Sequence, residues 1–382
     1  MKKYILTVAL ILLAILSVTA QESPLTADQV IQKTIYKLAS LKTVSYDYRR
    51  ELNYTSERFF HELKAAAYLD FTSAGKVPGV KYRFAADTNS NTFNGAELFS
   101  LDGKNKIIRL NSKPAPADFQ SDSYLVNSPV TLKNVLPKVL ADKTITRSIS
   151  EEKNFYVVEF ALDKFGIDLF GNYSDQKLAR RITYRVTVAK SDFMPVEVLQ
   201  KNGDIDFIKT TFSNIRENPA PPAENTWYYS TYLGEYKFAE PSKNNLIGAG
   251  AAAPDFALPS AGSEREVSLR SYRGKLVLLE FWIFHCGACI AAVPRLNAIR
   301  EKYKGGDFNL LAVNIYDSRE LVDFFIDSKK VGYPVLYTGE AAAKQYGVDR
   351  YPTVVLIGKD GKVIFSGIFD AVKIDALIAK NL

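Results

Sequence analysis

The hydrophobic pattern has helical spacing first, then period two, then an alternation of strand-like and helix-like runs. Residues 24–40 place Val30, Ile31, Ile35 and Leu38 at helical spacing, with Thr26 or Asp28 available to cap the start, so one amphipathic helix is predicted. Period-two runs follow at 44–54, 66–72, 80–86, 91–101 and 107–110, punctuated by Ala74-Gly75, Pro78-Gly79, Asn94-Gly95 and Asp102-Gly103. A helical stretch at 129–140 (Val130, Leu132, Val135, Leu136, Val139) precedes further strands at 144–150, 155–162, 181–189, 194–199 and 206–215. This reads as a mainly antiparallel β domain covered by a few helices. Pro219, Pro221 and Pro222 mark its exit, and the small-residue run 248–253 ends a linker over 241–253. From 254 to 382 the order changes: a strand at 276–284, a helix carrying Val293, Leu296 and Ile299, a strand at 308–315, a helix at 318–330 and a short strand at 335–337. A small helix at 340–346, a hairpin of 354–357 with 362–366 and a final helix from about Ala371 complete an α/β domain with a mixed sheet.

Length supports that division, since 382 residues at 47% hydrophobic content suffice for two domains with their own cores. The first twenty residues carry Lys2, Lys3, an apolar run over 5–16 and a small-residue end at Ala20, the pattern of a secretory leader cut near that residue. Residues 21–240 then form the first mature domain, and no Cys follows the cut to accept a lipid. The expected location is the periplasm or cell envelope, in soluble form. Net charge is +7, or 7 − 2 = +5 without Lys2 and Lys3, and is spread without a basic stripe. Nucleic acid is therefore not an expected partner.

Both cysteines of the chain, Cys286 and Cys289, sit in one stretch, LVLLEFWIFHCGACIAAVP at 276–294. Disulfides persist outside the cytosol, but this pair closes almost no loop, so it stabilises little by constraining the unfolded chain. A redox role follows, with the Cys286–Cys289 disulfide as the redox group and no cofactor or metal expected. Only two histidines, His61 and His285, are present, too few for a zinc or copper-chaperone site, and they weaken a Ser-His-Asp reading. The Pro-x-x-x-Thr-x-x-Cys context of a peroxidatic cysteine is absent. Glu280 is the only ionisable residue in the apolar strand run, where desolvation should raise its pKa.

With Ala253-Pro-Asp-Phe256, Gly274-Lys275, Phe281-Trp282, the Cys-x-x-Cys pair, Pro294 and Tyr351-Pro352-Thr353, the segment from about 250 to 382 resembles the TlpA/ResA thiol-disulfide oxidoreductases of the thioredoxin-fold superfamily. The resemblance implies that Cys286 is the nucleophile at a helix N-terminus and Cys289 the resolving thiol, with Glu280 accepting its proton. It implies that Pro352 is a cis-proline and that Tyr351 offers its backbone to substrate, giving a catalytic set of Cys286, Cys289, Glu280 and Pro352. Tyr351, Trp282 and His285 are the expected substrate-binding residues. Ala288 stands where the family usually has Pro, His285 where it has Trp and Ala292 where many members have Glu, which leaves the direction of electron flow open. The implied partners are disulfide-containing exported proteins and a membrane electron donor of the DsbD/CcdA type. Net reduction is expected, with oxidation or isomerisation as the alternative.

Residues 25–235 resemble the LolA/LolB-like lipoprotein-sorting superfamily, through the helix-then-curved-sheet order and the phrase NGAELFSLDG at 94–103. That resemblance implies an apolar cavity for a hydrophobic ligand, an acyl chain or a peptide. It keeps open a competing reading, an envelope carrier with an accessory redox domain.

Overall fold

The computed structural model describes residues 24–72, 78–120, 122–163, 166–173, 181–239, 246–263 and 265–382. The expected leader, the Ala74-Gly75 turn and residues 241–245 of the expected linker lie outside them. The chain divides into two compact units between Ala239 and Glu240. Among the described residues no helix is long and apolar enough to cross a membrane.

The first unit is built on a 12-stranded sheet. One antiparallel meander runs from Thr43–Tyr54 to Ile107–Asn111, a second from Arg147–Glu151 to Asp206–Glu217, and pairing of Thr43–Tyr54 with Asp206–Glu217 joins them. Helix Ala27–Ser40 starts as a capping box: Thr26 Oγ1 accepts from Gln29 N at 3.2 Å and Gln29 Oε1 from Thr26 N at 2.8 Å. Its Val30, Ile31 and Leu38 pack with Val130, Leu136 and Val139 of helix Pro129–Ala141 and with Tyr46, Phe84 and Phe212 of the sheet. The two helices thus cover one sheet face, as period-two alternation along the strands requires.

The expected strand at 91–101 is two strands, Asn89–Phe93 and Leu98–Asp102. The break lies at Asn94-Gly95, where Gly95 takes φ 96° and Asn94 Oδ1 accepts from the backbone N–H groups of Ala96 and Glu97. The expected strand at 66–72 begins earlier, as Phe59–Asp70, because pairing with Thr43–Tyr54 orders a segment with little apolar alternation of its own. The short helix Pro116–Gln120 and the edge strand Lys237–Phe238 had no periodicity to announce them.

The second unit has a five-stranded mixed sheet ordered Val335–Leu336, Phe308–Asn314, Leu276–Trp282, Thr353–Ile357, Val363–Ile368. The first three run parallel; the central strand meets Thr353–Ile357 antiparallel. Every residue of Leu276–Trp282 is buried, which is why its pattern is continuous rather than alternating. Leu276, Leu278 and Trp282 face a core shared with Leu296 of helix Gly287–Lys302 and Ile374 of helix Ala371–Asn381. Val277, Leu279 and Phe281 face the opposite core, with Ala342, Ala343 and Tyr346 of helix Glu340–Tyr346.

The run 248–253, expected as a free tether, instead lies along this unit's hairpin. Gly250 N donates to Val363 O at 2.8 Å, Val363 N to Ala251 O at 2.9 Å and Ala253 N to Gly361 O at 3.0 Å. Small side chains suit close backbone approach as well as flexibility, and here they serve the former.

Candidate active site

The central strand ends at Trp282, and a short loop leads into helix Gly287–Lys302 with Cys286 at its N-cap. Asp317 fixes that loop. One of its carboxylate oxygens accepts from Phe284 N at 2.7 Å and from Asn314 Nδ2 at 2.7 Å, and Asp317 N donates to Asn314 Oδ1 at 3.0 Å. Asn314 is fully buried at the end of its strand, so the loop that carries Cys286 is tied to the neighbouring parallel strand.

Cys286 and Cys289 form a disulfide, with Cα atoms 5.2 Å apart. The two sulfurs sit in different surroundings. Cys286 is partly exposed, followed by exposed Gly287 and Ala288, and its Sγ accepts from Cys289 N at 3.1 Å. Cys289 is 1% exposed and continues the inward stripe of Ala292, Val293, Leu296 and Ile299. A thiolate on Cys286 would meet the unpaired N–H groups and positive dipole end of a 16-residue helix, both of which favour the charged form. Pro294 lies inside that helix and removes the backbone bond to the Ile290 carbonyl.

Glu280 is 2% exposed. By strand alternation it shares the sheet face of Leu278 and Trp282, the face packed against Cys289. Its register neighbours, Ala312 and Val354, are apolar. Burial pushes its carboxyl up to about 8, opposed by a hydrogen bond in which Tyr333 Oη donates to Glu280 Oε2 at 3.2 Å. Sequence reasoning passed over Tyr333 and Asp317. Nothing in spacing links Tyr333 to a residue 53 positions away, whereas the Asn314-x-x-Asp317 turn after a buried strand was a local signal for Asp317.

The Tyr351–Pro352 peptide bond is cis. Pro352 O accepts from Phe369 N at 3.1 Å, and the sheet ladder begins only at Thr353, so Tyr351 precedes it. Tyr351 and Cys286, both partly buried, pack against the one core cluster that contains Cys289. His285 is exposed, and its ring lies edge-on to that of Phe284 with centroids 4.4 Å apart.

Trp282, expected to bind substrate, does not reach the surface. It is 2% exposed and stacks on Phe325 with ring centroids 4.3 Å apart, because in a sheet covered on both faces each strand residue points into one core or the other. Among the described residues no group of three or more His, Cys, Asp or Glu side chains gathers in a way that could hold a metal ion.

A family model described as Redoxin matches residues 248–375. The thiol-disulfide oxidoreductase ResA of Geobacillus thermodenitrificans (strain NG80-2) is 32% identical over 123 residues, covering 32% of this chain and 70% of the relative. ResA of Bacillus cereus (strain ATCC 10987 / NRS 248) is 32% identical over 124 residues, 32% of this chain and 71% of the relative. Among solved structures, a putative thiol:disulfide interchange protein DsbE from Chlorobium tepidum is 31% identical and covers 35% of this chain and 98% of its own, with a TM-score of 0.33. The second unit is a thioredoxin-fold redox domain, and through it the chain belongs to the ResA-like family of thiol-disulfide oxidoreductases.

Proposed function

We propose that this protein is an exported protein-disulfide reductase that works through Cys286 and Cys289. The observation that carries the reading is the asymmetry of the pair: one sulfur accessible at a helix N-terminus, the other buried three residues on. In the reduced protein the Cys286 thiolate attacks one sulfur of a substrate disulfide. That S–S bond breaks, a mixed disulfide forms and the first substrate thiol leaves. Cys289 gives its proton to the Glu280 carboxylate or to water, then attacks Cys286 Sγ. The second substrate thiol is released, the Cys286–Cys289 disulfide forms, and two electrons have passed to the substrate. A membrane dithiol donor of the DsbD/CcdA type resets the pair. Tyr351, ahead of Pro352, lines the substrate segment with its backbone, and His285 lies beside the attacking sulfur.

The test is covalent trapping. Cys289→Ser should accumulate a dithiothreitol-sensitive adduct with insulin and with envelope proteins, and Cys286→Ala should form none. Failure of Cys289→Ser to trap any disulfide protein would overturn the mechanism. The Cys286–Cys289 potential decides direction: a strongly oxidising value would make the protein an oxidase or isomerase instead.

We also propose that the first unit, in the manner of LolA-like proteins, takes an apolar ligand. The support is a cavity of about 210 Å³ with an apolar wall that includes Leu132, Phe160, Leu162, Tyr184 and Val186, and with Asp122, Asn127, Asp168 and Gln200 on its polar side. Saturable fluorescence of N-phenyl-1-naphthylamine on the full chain, lost on Val186→Trp, is expected; no saturable binding refutes it.

A further inference from the structure

The mechanism leaves a difficulty at Glu280. A proton acceptor must be ionised, and a carboxyl in an apolar sheet face, between Ala312 and Val354, resists ionisation. We infer that Tyr333 is a positioning residue for this reaction: its buried hydroxyl is the donor that stabilises the Glu280 carboxylate and so keeps an acceptor available to Cys289. The inference rests on the reading of Glu280 as that acceptor.

The geometry is built rather than incidental. Tyr333 is 6% exposed and aims its hydroxyl at Glu280 Oε2, 3.2 Å away. The loop that carries it is held on both sides. Gly332 N donates to Asn297 Oδ1 at 2.8 Å, and Asn297 Nδ2 donates to Lys330 O at 2.9 Å, which ties the loop to the helix of Cys286 and Cys289. On the other side Ala312 N donates to Pro334 O at 3.0 Å, which ties it to the strand next to Glu280. The phenol therefore sits between the active-site helix and the central sheet, with little freedom to turn away.

The remaining groups that face Glu280 do not substitute for it. Ala312 and Val354 are apolar, as is Val335, which pairs with Ala312. The helix side presents Cys289, Val293 and Leu296. Burial, with Glu280 adding to it, holds the Tyr333 phenol far above its usual value, so it stays protonated and donating through the neutral and alkaline range. A neutral donor to a charged acceptor is stronger than the same bond to the neutral acid, so the hydroxyl favours the carboxylate. Without it, the ionised fraction near neutral pH should fall about tenfold, one pH unit in the titration.

The experiment uses the full chain. In the oxidised protein, infrared titration of carboxyl bands follows the one acid whose midpoint stands near 8, assigned by its loss in Glu280→Gln. Tyr333→Phe keeps the ring and should raise that midpoint by about one unit. Insulin reduction with dithiothreitol as electron source should then show its alkaline inflection moved up by the same amount. The rate should be lower by up to about tenfold at pH 7 and recover above both inflections. In a Glu280→Gln background, adding Tyr333→Phe should leave the pH profile unchanged. An unshifted infrared midpoint in a Tyr333→Phe protein with native near-ultraviolet circular dichroism overturns the inference. A shifted midpoint with an unshifted rate profile refutes instead the proton-acceptor reading beneath it.

Discussion

Burying a carboxyl for chemistry should leave a signature in stability, and Glu280→Gln isolates it. The Glu280 carboxyl moves from an ordinary 4.5 to about 8 on folding, so between those values the folded chain holds a proton that the unfolded chain has lost. Unfolding then releases a proton, and stability must fall as pH rises. The contribution is fully present below about pH 4.5, declines through the window up to about 8 and is gone above it. The full shift of 8 − 4.5 is worth about 5 kcal/mol, and the part lost between pH 5 and pH 9 about 4 kcal/mol. Against a typical domain stability of about 5–15 kcal/mol this is large.

Gln at 280 cannot ionise, so its stability should be flat across the same window apart from other groups. The surface carboxylates Glu301, Glu320 and Asp375 are held below their usual values and titrate under it, the disulfide-bonded cysteines do not titrate, and the groups common to wild type and Glu280→Gln cancel in the difference between the two curves. The extra amide N–H groups, buried without acceptors, should make the variant less stable by about 1–3 kcal/mol at pH 5. At pH 9 the order should reverse, so the curves cross. The assay is urea unfolding of the oxidised full chain at both pH values. Because the chain has two compact units, a single transition cannot be assumed. Trp227→Phe leaves Trp282, buried beside Glu280's strand face, as the sole tryptophan reporting on the second unit. With a urea slope of about 2 kcal/mol/M, the wild-type midpoint should drop by about 2 M from pH 5 to pH 9. Equal pH dependence in wild type and Glu280→Gln would refute the reasoning.

Two further outcomes follow from the loops around the site. Asp317→Ala leaves the N–H of Phe284 and the amide of Asn314 without their acceptor, and should lower the second unit's stability by about 2–5 kcal/mol in the same urea assay while slowing insulin reduction. Gly339 precedes helix Glu340–Tyr346 at φ −83°, where any residue fits the backbone, yet an added Cβ would lie 2.3 Å from Val313 Cγ1 and 2.7 Å from Asn314 O. Gly339→Ala should therefore destabilise by about 1–3 kcal/mol through overpacking alone, and in thermal unfolding the double change with Val313→Ala should cost less than the sum of the two single changes.

How far the sequence could be read depends on whether the information was local. The continuous apolar run at 276–282, the Cys pair and the helix stripe of Val293, Leu296 and Ile299 each carry their own periodicity, and the second unit's element order could be read from them. Strand parity also carried more than the family motif did at Trp282. It has the parity of Leu278 and Glu280, and a run with no polar face leaves a bulky ring nowhere to go but inward. Residues 248–253 were ambiguous in principle, since small residues serve tethers and close backbone contacts alike. The Tyr333–Glu280 bond depends on how a loop is pinned between a helix and a strand, and no pattern along the chain encodes that.

The proposed division of labour between the cysteines follows from helical period. Cys286 stands at the cap, outside the stripe, while Cys289 stands three residues on, where the stripe of Ala292, Val293, Leu296 and Ile299 points into the core. A resolving thiol placed there is shielded from water, which in the proposed mechanism favours an internal acceptor for its proton over solvent. The strand beneath the helix supplies one at Glu280. The same burial that puts the carboxyl within the core makes it reluctant to ionise and makes the fold less stable as pH rises, which one tyrosine hydroxyl opposes in both respects. In Tyr333→Phe one displacement should therefore show in two pH ranges: a deeper loss of stability above pH 8 than in wild type, and a lower rate near neutral pH with its inflection displaced upward by the same free energy.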